Sequence, residues 1–319
     1  MSTPTASVVI CTFNRLRMLQ DAVESCLANA TSRGVAFEVV IADNSPSGHA
    51  RAFANGLIAA GRVVRWVHAS PPNISVARNA GLHAASAELV AFMDDDLVLE
   101  PGWLDHLLDT LERSGADVAV GPVRPRFAEG SAPDWDPQGS RFTRVLPAPS
   151  GTHLVAGGPN RTRNFAISTA SSLWRRSTCF TDDAPFDPAF GASGGEDLDL
   201  FLRLERRGRR FVWCAEATVW ETIPAGRTTL RYQALRAYSG AQVYTAAAVR
   251  HAVRPGRSAA DIMGRGAIQA VAGAGALLLT GLTGRQRFVR HLLGTASAAG
   301  KLFWWRKIPL YHVEKAPQT

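Results

Sequence analysis

Three adjacent carboxylates, Asp94, Asp95 and Asp96, follow the apolar run 89–93 without a break. Like charges this close repel, and a hard divalent cation offsets the repulsion. Mg²⁺ or Mn²⁺ takes oxygen ligands and commonly uses one or two carboxylates together with the phosphates of a substrate. Strand alternation carried through the triplet puts Asp94 and Asp96 on one side and turns Asp95 away. One carboxylate then meets a sugar or ribose, and the other meets the metal. A second acidic cluster, Gly194-Gly195-Glu196-Asp197-Leu198-Asp199, opens a stretch with the apolar spacing of a helix. Its Gly-Gly pair permits a tight turn. The carboxylates there either cap the helix or accept a proton from an attacking hydroxyl about 3 Å away.

Other charged positions are candidates for binding. Asp43 ends an apolar run and either accepts a hydrogen bond from a nucleobase N–H or forms an Asx turn with Ser45-Pro46. Arg78 lies in Asn73-Ile74-Ser75-Val76-Ala77-Arg78-Asn79-Ala80-Gly81, where a cation opening a helix opposes the dipole unless an anion or carboxylate is near. Arg227 either meets a diphosphate or is simply solvated. The histidines are scattered singletons with no H-x-x-x-H pair, and they read as non-ligands. Cys11, Cys26, Cys179 and Cys214 form no C-x-x-C pair and read as buried thiols, which argues against zinc. P-loop, G-x-S-x-G and strand–helix G-x-G-x-x-G patterns are lacking.

The elements that must position these residues show in the apolar periodicity. Short apolar runs at 7–11, 37–42, 63–67 and 89–93 predict strands, and 211–214 predicts another. Between the first four, residues 16–27, 49–60 and 76–85 carry helical spacing. Such alternation implies a mostly parallel sheet with helices on both faces. Ligands bind beyond the carboxyl ends of such strands, where Thr12-Phe13-Asn14-Arg15, Asp43-Asn44-Ser45 and the aspartate triplet would converge. Residues 124–158, rich in Pro, Gly and Ser, predict irregular structure beside the site. Residues 229–250 predict a helix.

The 319-residue chain suits one large domain with an appendage and carries a net charge of +8. From Arg250 onward, Arg254, Arg257, Arg265, Arg285, Arg287, Arg290, Lys301, Arg306, Lys307 and Lys315 face only Asp261 and Glu314. This basic tail suggests a polyanion, an anionic membrane surface first and no nucleic acid, with ordinary solvated charge as the alternative. Its apolar core, 267–282, is shorter and weaker than the roughly 20 residues that span a bilayer. Phe303, Trp304 and Trp305 among the basic residues suit a headgroup interface. Residues 1–5 are polar, and Val8-Val9-Ile10 is too short for a signal core, so a cytoplasmic location at the inner face of the plasma membrane is expected. Disorder is expected only at 1–5 and 312–319.

The ordered set 7–15, 39–45, 73–81, 91–96 and 190–197 resembles a family 2 glycosyltransferase of the GT-A fold, over residues 7–238. Residues 190–197, with 219–224 and Arg227, are similar to bacterial exopolysaccharide transferases of the succinoglycan-synthesis type. The resemblance implies an α/β GT-A domain at 1–228 and a helical, membrane-associating extension at 229–319. It implies an inverting transfer from a nucleotide-diphosphate sugar, usually a UDP-sugar, to a saccharide or lipid-linked acceptor. Thr12 and Asp43 would hold the base, within a donor site that includes Phe13, Asn14, Arg15, Arg78, Asp94, Asp95 and Arg227. Asp96, with Asp94, would bind Mg²⁺ or Mn²⁺. Asp197 would be the catalytic base, with Glu196 beside it. Phe13 stands where the family often has Tyr, and Glu221-Thr222 stand where a histidine is often found, which leaves a third metal ligand unassigned. The processive Q-x-x-R-W pattern is absent, so addition of one sugar is expected. A carboxylate-pair glycoside hydrolase and a non-catalytic nucleotide-sugar-binding protein are the competing classes.

Overall fold

A computed structural model describes residues 4–157, 161–162, 167–280 and 284–309. The expectations for residues 1–3 and 312–319, and for the last residues of the apolar core, Leu282 included, lie outside this set. The chain runs β1 (Ala6–Thr12), α1 (Leu16–Asn29), β2 (Phe37–Asp43), α2 (Arg51–Ala59), β3 (Val64–His68), α3 (Ile74–Ala84), β4 (Leu89–Asp94), β5 (Leu97–Leu99), α4 (Trp103–Ser114), β6 (Val118–Val120), β7 (Val123–Phe127) and β8 (His153–Leu154). It continues through β9 (Ser171–Arg175), α5 (Arg176–Cys179), α6 (Pro188–Gly191), α7 (Glu196–Arg206), β10 (Phe211–Trp213), β11 (Val219–Ile223), α8 (Ala225–Thr228), α9 (Leu230–Arg250), α10 (Pro255–Thr280) and α11 (Arg285–Leu302).

Two compact units emerge. The first comprises Met1–Arg126, Phe142–Pro188 and Arg203–Thr222; the second comprises Phe127–Arg141, Ala189–Leu202 and Ile223–Thr319. Both are discontinuous in sequence.

The first unit is built on a sheet of order β3-β2-β1-β4-β9-β6-β10-β8. Strands β1 to β4 are mutually parallel, and β9 is antiparallel to both β4 and β6. Every residue of β1 is buried, as expected of a parallel strand covered on both faces. Val8 and Ile10 join Val39, Ile41, Ala91 and Met93 in one core, and Leu19, Ala22, Val23 and Cys26 of α1 pack on it. Two buried carboxylates of this unit each gather several donors. Glu38 accepts from Ser7 Oγ (2.6 Å), Ser86 Oγ (2.7 Å) and Arg65 Nε (2.6 Å). Asp105 of α4 accepts from Thr31 Oγ1 (2.6 Å) and the Ser32 backbone N–H (2.7 Å), tying the loop after α1 to α4.

Three expectations need correction. The strand β4 ends at Asp94, and Asp95-Asp96 form a turn into β5, so side-chain alternation stops before the triplet is complete. The segment 124–158 is mostly turns, but most of β7 lies within it and β8 pairs with β10 (Leu154 opposite Phe211). In the second unit the apolar helix is longer than its uninterrupted apolar core: α10 has 26 residues and rises about 39 Å. The alanines, Ile262 and Met263 before Ala267 extend it. Among the described residues α10 is long and apolar enough, by length and composition alone, to cross a membrane. Gly266 and Gly273 of α10 lie against Lys301 and Thr295 of α11, forming a close helical hairpin.

Candidate active site

Strand register brings the expected clusters of the first unit to one rim. Thr12 is opposite Asp43, Cys11 is opposite Asp94, and Asp43 is opposite His68. Strand order reverses between β1 and β4, the switch point at which open α/β sheets bind ligands.

The chain leaves β1 through Asn14, whose φ of 54° places it in the left-handed region that asparagine tolerates. Its backbone N–H donates to Ser45 Oγ (3.0 Å), tying the ends of β1 and β2 together. Phe13 is half-buried and Asn14 exposed. Thr12 Oγ1 donates to Asp95 Oδ2 (2.8 Å), and Arg15 Nη1 reaches Asp95 Oδ1 (3.1 Å) and Asp96 Oδ2 (3.4 Å). Asp95 and Asp96 are buried, whereas the Asp94 side chain is 40% exposed. The crowding has the expected electrostatic result. Burial first, then Asp96 and Asp94, push the Asp95 carboxyl up to about 6, against the pull of Arg15 and Thr12.

Asp43 is fully buried and occupied by its own chain. Its Oδ1 accepts from Ser45 N–H (3.0 Å), and its Oδ2 accepts from Ala50 N–H (2.8 Å) and Trp66 Nε1 (3.4 Å). Burial alone would raise its pKa, but the Ser45 side chain, the backbone N–H groups of Ala50 and Ser45, and His49 outweigh it and lower the value. The Asx turn is thus the bond this carboxylate makes here, and it shapes the loop into α2. Arg78 is buried on α3, with Nη2 3.5 Å from Asp94 Oδ1 and the guanidinium 5.6 Å from the Phe186 ring centroid. Asp94 is the carboxylate that a cation near the start of a helix calls for.

Several residues that shape this rim escaped the sequence reading. Asn44 Nδ2 donates to the Ala69 carbonyl (2.5 Å), and Asn44 Oδ1 accepts from Asn73 N–H (2.6 Å). Asn73 then caps α3, accepting from Ser75 N–H (2.9 Å). An Asn ahead of a helical run is a readable cap signal; the Asn44 strap is a tertiary contact with no local signature. His68 bonds the Ser45 carbonyl (2.9 Å) and stacks on Trp66, giving it a structural place.

Residues 7–171 match the family described as Glycosyl transferase family 2. The chain belongs to glycosyl transferase family 2. It is 32% identical over 236 residues to the succinoglycan biosynthesis protein ExoM of Rhizobium meliloti (strain 1021), covering 74% of this chain and 72% of that protein. It is 27% identical over 256 residues to the O-antigen biosynthesis protein RfbC of Myxococcus xanthus, covering 75% of this chain but 20% of that one. Among solved structures, S. aureus TarS 1–349 in complex with UDP superposes with a TM-score of 0.53 at 15% identity, covering 93% of this chain and 90% of that one. GalNAc-T7 with UDP, GalNAc and Mn2+ gives 0.50 at 16% identity, covering 70% and 44%. These likenesses establish the GT-A-type fold with a C-terminal helical extension.

The remaining expected site residues of this family 2 chain fall in the second unit. Glu196 and Asp197 open α7 after Gly194 and Gly195, whose φ values of 82° and 93° favour glycine. Glu196 is buried and Asp197 half-buried. Arg227 sits in α8, and its carbonyl accepts from Gln233 Nε2 (2.7 Å). In the first unit, Glu221 lies on β11, where its Oε2 accepts from Arg144 Nη2 (3.0 Å). Thr222 N–H donates to the Asp96 carbonyl (2.8 Å), so β11 closes over the chain at the triplet. Among the described residues, no group of three His, Cys, Asp or Glu side chains gathers at a metal-binding distance.

Proposed function

We propose that this family 2 glycosyltransferase transfers one sugar from a nucleotide-diphosphate donor, a UDP-sugar, to a hydroxyl of a saccharide or lipid-linked acceptor with inversion. The observation that carries the reading is the meeting of Thr12–Arg15 with the aspartate triplet at the switch point of the sheet. The nucleotide lies across that rim, with Phe13 offering a ring face to the base and Arg15 and Arg78 the nearest cations to the phosphates. Asp43 serves the base by holding the loop after β2 and, on displacement of one of its partners, by accepting its N–H.

The residues at the triplet fit a hard cation. Asp94 and Asp96 would be the two carboxylates that hold it, as hard cations commonly use one or two carboxylates together with substrate phosphates. Mg²⁺ or Mn²⁺ held there would neutralise charge developing on the departing diphosphate. Arg227 adds a second cation for that group. Asp197 takes the proton of the acceptor hydroxyl, whose oxygen attacks the anomeric carbon from the face opposite the diphosphate. One C–O bond forms as the sugar–phosphate bond breaks, and the configuration inverts. Glu196 supports the base from the preceding position.

The acceptor is presented at the cytoplasmic face of the membrane. Ile268, Val271, Leu278 and Leu279 of α10 are exposed together, as are Phe303 and Trp305. Arg287 and Arg290 on α11 add positive charge. Packing of α10 on α11, which carries Arg285, Arg287 and Arg290 at its start and Lys301 at its end, favours a helix lying in the interface over one crossing it.

A thermal-shift panel of nucleoside diphosphates and sugars, with and without Mn²⁺, tests the donor reading. UDP with Mn²⁺ should raise the melting point by several degrees. A shift with free sugars and none with any nucleotide would favour the hydrolase class instead.

A further inference from the structure

We propose that Asp199, His251 and Lys307 are positioning residues for the turn that carries Asp197, so that the helices after Thr229 belong to the reaction machinery. The inference rests on Asp197 being the base, and every contact it uses lies within the second unit.

Asp199 stands in the first turn of α7, with its carboxylate buried. Its Oδ1 is 2.8 Å from His251 Nε2, at the end of α9, and 3.6 Å from Arg250 Nη1. Upstream of the base, Gly195 rests directly on α9. A Cβ there would stand 1.8 Å from Val243 Cγ1, so only glycine allows the approach, and its φ of 93° demands glycine as well. Further upstream, the Ala189 carbonyl accepts from Lys307 Nζ (2.9 Å). The same ammonium is 4.4 Å from the Phe190 ring centroid, with Arg250 5.6 Å from it. The grips thus fall on both sides of Glu196-Asp197: Lys307 and Val243 before it, and His251 and Arg250 after it.

Asp197 Oδ1 accepts from the N–H of Leu198 at 2.7 Å, a local bond, so the aim of its carboxylate follows the aim of the turn. A buried Asp199 that loses the His251 bond is left to its other partners, Arg250 among them, and shifts toward them or toward water; such a movement shifts the first turn of α7. A misplacement near 1 Å at the reacting centre, caused by a change far from it, can cost about 10²-fold in rate. Lys307 follows α11, so removing the α10–α11 hairpin with the residues after it would strip one grip from the turn as well as any membrane attachment.

The test uses the full chain with His251→Ala, His251→Gln, Asp199→Asn and Lys307→Met. We expect His251→Ala and Asp199→Asn to lower kcat about 10- to 100-fold, with donor KM and calorimetric UDP affinity within about twofold of the unaltered protein. His251→Gln, which keeps a donor within reach of Asp199, should recover part of the loss. Hydrogen exchange of the amides at 195–200 should quicken in His251→Ala and Lys307→Met. Unchanged kcat together with unchanged exchange at 195–200 would overturn the inference. So would a loss of donor affinity equal to the loss of kcat, which marks general damage. If His251→Ala fails to fold, Lys307→Met carries the same decision. If the unaltered protein transfers no sugar from any donor, the transferase reading fails, while the exchange measurement still decides whether the grips hold the turn.

Discussion

Replacing Gly81 with alanine sets two effects against each other. Gly81 lies inside α3, where alanine favours the helix by about 1 kcal/mol. Yet a Cβ there would stand 2.4 Å from Val9 Cγ1 of β1 and 3.2 Å from the Ala42 Cβ of β2. Val9 is fully buried, β-branched and stiff, so it cannot swing aside. Overpacking of this kind costs about 1–3 kcal/mol. The clash should win, leaving Gly81→Ala less stable by about 1–2 kcal/mol. Val9→Ala alone opens a cavity and also destabilises. The double variant should be more stable than the sum of the single effects by about 1 kcal/mol or more, because the new methyl fills the space. Urea unfolding of the three variants at constant slope measures all terms. A Gly81→Ala protein as stable as the parent, or strict additivity, would refute the close helix–strand approach that sets Arg78 beside Asp94.

Three further outcomes follow from the same reasoning. Burial would raise Asp105, but bonds from Thr31, Ser32 and Arg33 outweigh it and hold it below its ordinary value of 3.8. Its contribution is therefore complete above that value and lost as pH falls through the lowered folded value. Asp105→Asn should cost about 2 kcal/mol at pH 7, with the gap to the parent closing in acid unfolding below about pH 4; a gap constant with pH would contradict this. Neutralising Arg287 and Arg290 together should weaken binding to vesicles containing anionic lipid about 30-fold, at roughly 1 kcal/mol per residue. Equal binding in flotation assays would remove the membrane role of α11. Asp197→Asn should lower kcat by about 10²–10⁴-fold at unchanged donor affinity, and near-normal turnover in a nucleotide-release assay would reject it as the base.

The parallel half of the sheet was legible because its strands are continuous apolar runs with helical spacing between them. The runs at 37–42 and 89–93 each lie within one residue of an observed strand. Convergence of Thr12, Asp43 and Asp94 followed from that order. What escaped had tertiary causes. Strands β5, β6 and β9 are short, and β9 enters antiparallel between β4 and β6, which no local pattern announces. The conformation of the triplet depends on Thr12 and Arg15 reaching Asp95 across 83 and 80 residues of sequence. The Gly194-Gly195 turn was readable as a turn, but Val243 beneath it was not.

The central claim is that the aspartate triplet binds the donor diphosphate and that Asp197 acts only on the acceptor. Calorimetric titration of UDP with Mn²⁺ into the parent, Asp96→Ala and Asp197→Asn proteins tests it most directly. The account predicts that the parent and Asp197→Asn bind with the same affinity, that binding falls sharply without Mn²⁺, and that Asp96→Ala abolishes it. Undiminished binding by Asp96→Ala, or its loss in Asp197→Asn, would contradict the account.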